Sequence, residues 1–194
     1  MPRRRTLAQL AGERGGVFTA SAARAMGVSS SSLAYHARTG AIERLGHGVY
    51  RLADFPSSPH EPLIAAAAAL GEDAVVSHES ALQLYGVSDV APSRLHFTLP
   101  RCRRYVTVPA GAVEIHTTTQ PLAPGEVVQH EGFRATSLIR SIVDSARAHT
   151  APEQIVMAVR EGLRRGLLNR LDLERTMQAA PARVRGLIER GIAI

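Results

Sequence analysis

Hydrophobic and polar positions follow several rhythms along this chain, and each rhythm predicts a different element. In "RTLAQLAGERGGVFT" Leu7, Leu10 and Ala11 share one helical face, Gly15-Gly16 ends the helix, and Val17-Phe18 reads as a short extended segment. In "TASAARAMGVSSSSLAYHARTG" two short helical patterns hinge at Gly27, with Ala23 before the glycine and Leu33 after it. This is helix-turn-helix spacing. A small residue sits where the helices touch, a glycine where the backbone turns left-handed, and an apolar residue packs the second helix back. Thr19 and Ser29 stand where their hydroxyls can cap the two helices. "AIERLGHGVYRLA" then switches to a hairpin pattern: Ile42 and Leu45, a Gly46-His47-Gly48 turn, and Val49, Tyr50 and Leu52. A helix, a helix-turn-helix and a hairpin in this order predict a winged helix, with Val17-Phe18 available to pair with the wing.

The rhythm breaks at "DFPSSPHEP", whose prolines and serines read as a linker. The expected division is a winged helix-turn-helix over 1–54, a linker over 55–62 and a second domain over 63–194. In the second domain, "HEPLIAAAAALGEDAVVSHESALQLYGV" predicts an alanine-rich helix broken at Gly71 and another helix from near Ser77 to Gly86. "SRLHFTLP", "RYVTVP" and "VEIHTT" alternate apolar with polar residues and read as strands. "EGFRATSLIRSIVDSARAH" reads as a short strand, a Thr136 cap, and a helix turning Leu138, Ile142 and Ala146 inward. "EQIVMAVREGLRRGLL" and "LDLERTMQ" are helical, and a last helix after Pro181 carries Val184, Leu187 and Ile188. The fold class is α+β: an N-terminal winged helix-turn-helix followed by a mixed α/β C-terminal domain.

Charge gives the first region a task. All 23 basic residues are arginine, against 17 acids, for a net charge of +6. Up to Phe55 there are eight arginines and three acids, whereas the rest of the chain is almost balanced. Such asymmetry points to a polyanion-binding module joined to a near-neutral one. In a helix-turn-helix protein the start of the second helix faces the DNA major groove. The run Ser29, Ser30, Ser31 and Ser32 fits that place, because short hydroxyls allow close approach and bond to phosphates and base edges. Ser31, Tyr35 and Arg38 fall on one face at helical spacing, with His36 beside them. Arg44 and Arg51 on the wing could meet flanking phosphates, with His47 at its tip. Arg3, Arg4 and Arg5 form a basic arm ahead of the first helix.

Other chemistries are excluded by inventory. Without a lysine there is neither a P-loop nor a protein-kinase site. Cys102 is the one cysteine, so neither an internal disulfide nor a multi-cysteine zinc site can form. "HESAL" lacks the second histidine of a zincin helix, and no histidines have zinc spacing. No catalytic residue, metal or cofactor is expected. The "SHES" stretch reads as a helix start, with Ser77 capping and Glu79 or Ser80 satisfying the first turn. Arg140 and Asp144 are spaced for an intrahelical ion pair. "REGLRRG" reads as a solvated basic face, or as a docking patch for an acidic or RNA-binding partner. No apolar run approaches the ~18 residues of a membrane span. No apolar segment follows the N-terminal arginines as in a secretory signal, so a soluble cytoplasmic protein is expected.

The ordered set "LAGERGGVFTASAARAMGVSSSSLAYHARTGAIERLGHGVYRLA", "VVSHESALQLYGV", "VTVP" and "FRATSLIRSIVDSA" resembles the AbiEi-type antitoxins of bacterial type IV toxin–antitoxin systems. The resemblance implies a winged helix that binds inverted repeats in its own promoter and represses the operon. It also implies a C-terminal domain that counteracts a nucleotidyltransferase-fold toxin, by contact or by opposing its effect. Carried over by position, Ser30, Ser31, Ser32, Tyr35 and Arg38 would lie on the recognition helix, and Arg44, His47 and Arg51 on the wing. The resemblance supplies no catalytic residues, and the paired aspartates of the toxin are absent. A ligand-responsive regulator and a DNA-targeted nucleic-acid-processing enzyme stay open as alternatives.

Overall fold

The computed structural model describes residues 2–12, 14–103 and 112–193, with side chains from Thr6 onward. Helix α1 (Pro2–Gly12) turns Leu7 and Ala11 into a core, and Gly15 and Gly16, at φ of 55° and 86°, reverse the chain into strand β1 (Val17–Thr19). Thr19 ends the strand and caps helix α2 (Ala20–Ala25): its hydroxyl accepts from the Ala22 N–H at 3.1 Å. Gly27, at φ 80°, makes the turn into helix α3 (Ser30–Arg38), whose cap is Ser29. Strands β2 (Ile42–Gly46) and β3 (Val49–Leu52) form the wing, and β1 pairs antiparallel with β3 to give a three-stranded sheet in the order β1-β3-β2. Leu7, Ala11, Phe18, Ala23, Val28, Leu33 and Ile42 meet in one buried cluster. The N-terminal region is thus a winged helix.

A Cβ added to Gly27 would meet nothing within 4 Å. The glycine is there for its backbone alone, and Gly27→Ala should cost only the left-handed strain, about 1 kcal/mol. Denaturant midpoints for the two proteins measure it; a loss of several kcal/mol would mean the turn is packed rather than merely bent.

Helix α4 (Glu61–Leu70) ends at Gly71. It packs on β1 and β3, with Ile64 set against Gly15. Among the described residues, contacts group those of 2–74 and 129–134 as one unit, and those of 75–103, 112–128 and 135–193 as another. Helix α4 groups with the first unit because it packs on the strands of the winged helix.

A second sheet is mixed, in the order β6-β5-β4-β8-β7, made of β4 (Val75–Val76), β5 (Leu95–Pro100), β6 (Val113–Thr118), β7 (Val127–His130) and β8 (Phe133–Thr136). Strand β5 runs antiparallel to β4 and parallel to β6. Helices α5 (His78–Tyr85), α6 (Leu138–Arg147), α7 (Pro152–Arg164), α8 (Arg170–Ala179) and α9 (Ala182–Ile192) supply the rest. Their core joins Leu82, Leu138, Ile142, Ile155, Val159, Leu173, Val184 and Ile188. The expected inward positions on α6 and α9 are buried. Two local expectations change. The helix after β8 starts from Ser137, which makes no side-chain cap bond, and the Thr136 hydroxyl lies 2.7 Å from that of Ser141. Ser77 precedes α5 but makes no side-chain cap bond. Strands β4 and β7 were not foreseen, and "RYVTVP" lies outside the described residues.

Candidate nucleic-acid interface

The opening of α3 is organised by its serines. The Ser29 hydroxyl accepts from the Ser32 N–H at 3.2 Å and lies 3.0 Å from the Ser31 hydroxyl. One serine is therefore consumed as a cap, and Ser30 and Ser31 stand exposed on the first turn. Leu33 turns into the core at 2% exposure, while Tyr35, four residues after Ser31, is 54% exposed. The Arg38 guanidinium lies 5.8 Å from the centre of the Tyr35 ring, and the His36 ring meets Tyr35 edge-on at 5.5 Å. Contact of this kind holds a cation and a flat π-face together at the surface. The Thr39 hydroxyl donates to the carbonyls of Tyr35 and His36, each at 3.1 Å, and finishes the helix. The expected face of Ser31, Tyr35 and Arg38 is assembled and open.

The wing is divided. His47 is exposed at the tip, and exposed Arg44 donates from Nε to the Gly46 carbonyl at 3.2 Å. Arg51 differs from its expected role. Its guanidinium is held by Glu43 at 2.6 Å and Glu61 at 3.1 Å, with 13% of the side chain exposed. The Glu43 hydrogen bond, opposed by burial, leads the effects that raise the Arg51 pKa further. Arg51 ties the wing to α4 and is not free for a phosphate. Arg3, Arg4 and Arg5 lie in α1, so the expected arm is helical backbone; their side chains are outside the described residues. Sequence reasoning passed over Arg24. It is exposed on α2 and tethered only through Nε to the Ala20 carbonyl at 3.3 Å. Its signal was the local excess of arginine over acid.

The second unit holds a cluster of imidazoles. His78 stands at the start of α5 in left-handed backbone, φ 51°, which a non-glycine residue adopts only when its surroundings hold it there. Its ring stacks on His116 of β6 at 3.5 Å, and His116 stacks on His96 of β5 at 5.2 Å. His96 Nδ1 and His116 Nε2 lie 3.0 Å apart, a hydrogen bond that needs one of the two nitrogens unprotonated. Thr98 donates to Ser77 Oγ at 2.8 Å, and Ser77 Oγ lies 2.8 Å from His78 Nδ1. Ser80 accepts from the His96 N–H, and Glu79 from the Thr150 hydroxyl at 2.7 Å. These long-range bonds replace the capping network expected for "SHES". Burial first, then its histidine neighbours and Arg140, hold His78 down at a pKa of about 3. Burial also lowers the pKa values of His96 and His116. Among the described residues, no group of three or more His, Cys, Asp or Glu residues is placed to hold a metal ion.

Arg140 makes the expected bond to Asp144 at 2.8 Å and adds a second to Glu126 at 2.8 Å. Among the described residues no helix is long and apolar enough to cross a membrane.

No curated protein matches the chain in sequence. Among solved structures, the crystal structure of the RV2827C protein from Mycobacterium tuberculosis is similar, with a TM-score of 0.60 over 96% of this chain and 76% of that one. At 17% identity this likeness is one of fold. Residues 5–53, which span the first helix, the helix-turn-helix and the wing, match the family model described as "Transcriptional regulator, AbiEi antitoxin", so the winged helix is similar to the domain that this model describes.

Proposed function

We propose that the chain is a non-enzymatic antitoxin and autorepressor. Its winged helix binds inverted repeats in its own promoter, and its second domain counteracts a nucleotidyltransferase-fold toxin. The observation that carries the DNA-binding half is the open face of α3, with Ser31, Tyr35 and Arg38 exposed on it, together with exposed Arg24 on α2 and exposed Arg44 on the wing. The family match over 5–53 supports the regulatory role. In this reading Ser30 and Ser31 approach the phosphates and base edges, Ser32 and His36 flank them, and Arg38, steered by Tyr35, reads a base. Arg44 and His47 hold the backbone beside the groove. Arg51 supports the wing from behind.

Affinity measured by fluorescence anisotropy on promoter and scrambled duplexes tests this. If about three phosphates are neutralised per protomer, log K falls with log salt at a slope near −2.7, or roughly 40-fold between 50 and 200 mM. Arg38→Ala should cost about 1–3 kcal/mol on the promoter duplex and less on the scrambled one, whereas Arg44→Ala should weaken both alike. Equal losses for Arg38→Ala on both duplexes would remove the base-reading role. Indifference to promoter DNA at low salt would remove the proposal.

A further inference from the structure

Helices α7 and α9 approach closely because Gly191 carries no side chain. A Cβ there would fall 2.5 Å from Val159 Cβ and 3.1 Å from the Val156 carbonyl oxygen. Ile155, Ala158 and Val159 turn inward to meet Leu187 and Ile188. Val156 packs at the edge of that core, and Met157 beside it is exposed. With Ala193 they floor a surface groove of about 430 Å³, completed by Glu153, Arg160 and Arg190. Met157 is 36% exposed there.

Of the eight arginines in 152–194, five are tethered, and Arg170, exposed at the start of α8, does not line the groove. Arg164 is held by Glu161, Arg175 by Asp172, and Arg165 by the carbonyls of Tyr85 and Gly86. Arg183 and Arg185 donate to the carbonyls of Ala146 and Ala180. Arg160 and Arg190 are exposed and have no ion-pair partner among the described residues. Residues 152–194 contain eight arginines against five acids, so the surrounding field is positive as well.

We infer that this groove docks an acidic amphipathic helix of a partner protein, with an apolar side chain on the Val156–Met157–Ala193 floor and carboxylates on Arg160 and Arg190. An apolar anchor between charged rims is how a helix is held in a groove, and a methionine floor adapts to the side chain it receives. A nucleic acid would satisfy the arginines but not the floor, and no aromatic residue lines the groove for a base to stack on. A symmetric contact between two copies would set the same arginines against each other. The inference goes beyond the operator-binding reading and involves the second unit alone.

The test uses the full chain and a fluorescent peptide of about 15 residues, with leucines at i, i+3, i+4 and i+7 and glutamates on the flanks. A peptide with lysine for each glutamate and a single-stranded RNA are the comparison probes. At about 50 mM salt, where exposed charges are weakly screened, the acidic peptide should bind and the basic one should not. Met157→Glu, and Arg160→Glu with Arg190→Glu, should each weaken the acidic peptide at least about tenfold. DNA affinity and the denaturant midpoint, read on the same preparations, should not move, which separates this surface from the DNA-binding reading. The inference is overturned if the acidic peptide fails to bind, if both peptides bind alike, or if the RNA displaces the acidic one. It is likewise overturned if Met157→Glu instead dissociates an oligomer.

Discussion

Replacing Leu33 with alanine is expected to destabilise the winged helix by about 3 kcal/mol and to remove DNA binding with it. Leu33 is the one buried side chain of α3, at 2% exposure, and it joins the buried cluster of Leu7, Ala11, Phe18, Ala23, Val28 and Ile42. A nine-residue helix has little stability of its own and is held by the face it buries. Shortening Leu33 leaves a cavity under that face and loosens every group that the helix presents. The magnitude is a large share of the 5–15 kcal/mol that typically separates folded from unfolded domains. The informative comparison is Ser31→Ala on the exposed turn. Its stability cost should stay within about 0.5 kcal/mol, so any loss of DNA affinity there belongs to the interface and not to the fold. Guanidinium midpoints followed by circular dichroism, set beside anisotropy on promoter DNA, give both quantities. A Leu33→Ala protein with an unchanged midpoint would show that α3 is positioned by something other than this core.

The winged helix was legible because its determinants are local. A positive-φ glycine at Gly27, hydroxyl caps at Thr19 and Ser29, and the alternation around Gly46-His47-Gly48 each act within a few residues, and all point to one fold. The exposed face of α3 followed from helical spacing once Leu33 was set inward. Arg51 could not be read this way. Its pairing with Glu43 across the hairpin is local, but Glu61, which completes its hold, comes to it through the packing of α4. The same limit explains the second unit. Strand β4 is two residues long, too short for any alternation to show, and it exists because β5 and β8 pair with it on either side.

"SHES" illustrates the most instructive miss. Helix-start residues have local uses, and the local reading is a cap with a satisfied first turn. In the folded chain, the parallel register that sets Thr98 beside His116 and Leu95 beside Val113 brings two more histidines to His78. Ser77 and Ser80 then serve strand β5 rather than the helix. Neither the partners nor the burial of His78 could be inferred without knowing which strands are neighbours.

That burial makes the second unit acid-sensitive. The pKa of His78 is held down at about 3, against about 6.5 for a free imidazole, chiefly by its removal from water. The unfolded chain therefore takes up a proton below pH 6.5 that the folded chain refuses. Stability conferred by the neutral ring is complete above 6.5 and is lost as the pH falls, until the folded ring itself titrates near 3. Between pH 7 and pH 5 the loss from His78 alone should be about 2 kcal/mol. His96 and His116, also lowered by burial, act in the same direction, and a second proton on their shared hydrogen bond would break it. The charges facing the stack are Glu79, Glu114, Arg94 and Arg140; the two carboxylates favour protonation of the rings, and the two arginines oppose it. Guanidinium midpoints at pH 7, 6 and 5 should fall in sequence. His78→Asn is the decisive variant, since asparagine accepts left-handed backbone and can still bond Ser77 but cannot take up the proton. It should flatten the slope by close to one proton's worth of linkage. A slope unchanged by that substitution would place the acid sensitivity elsewhere in the fold.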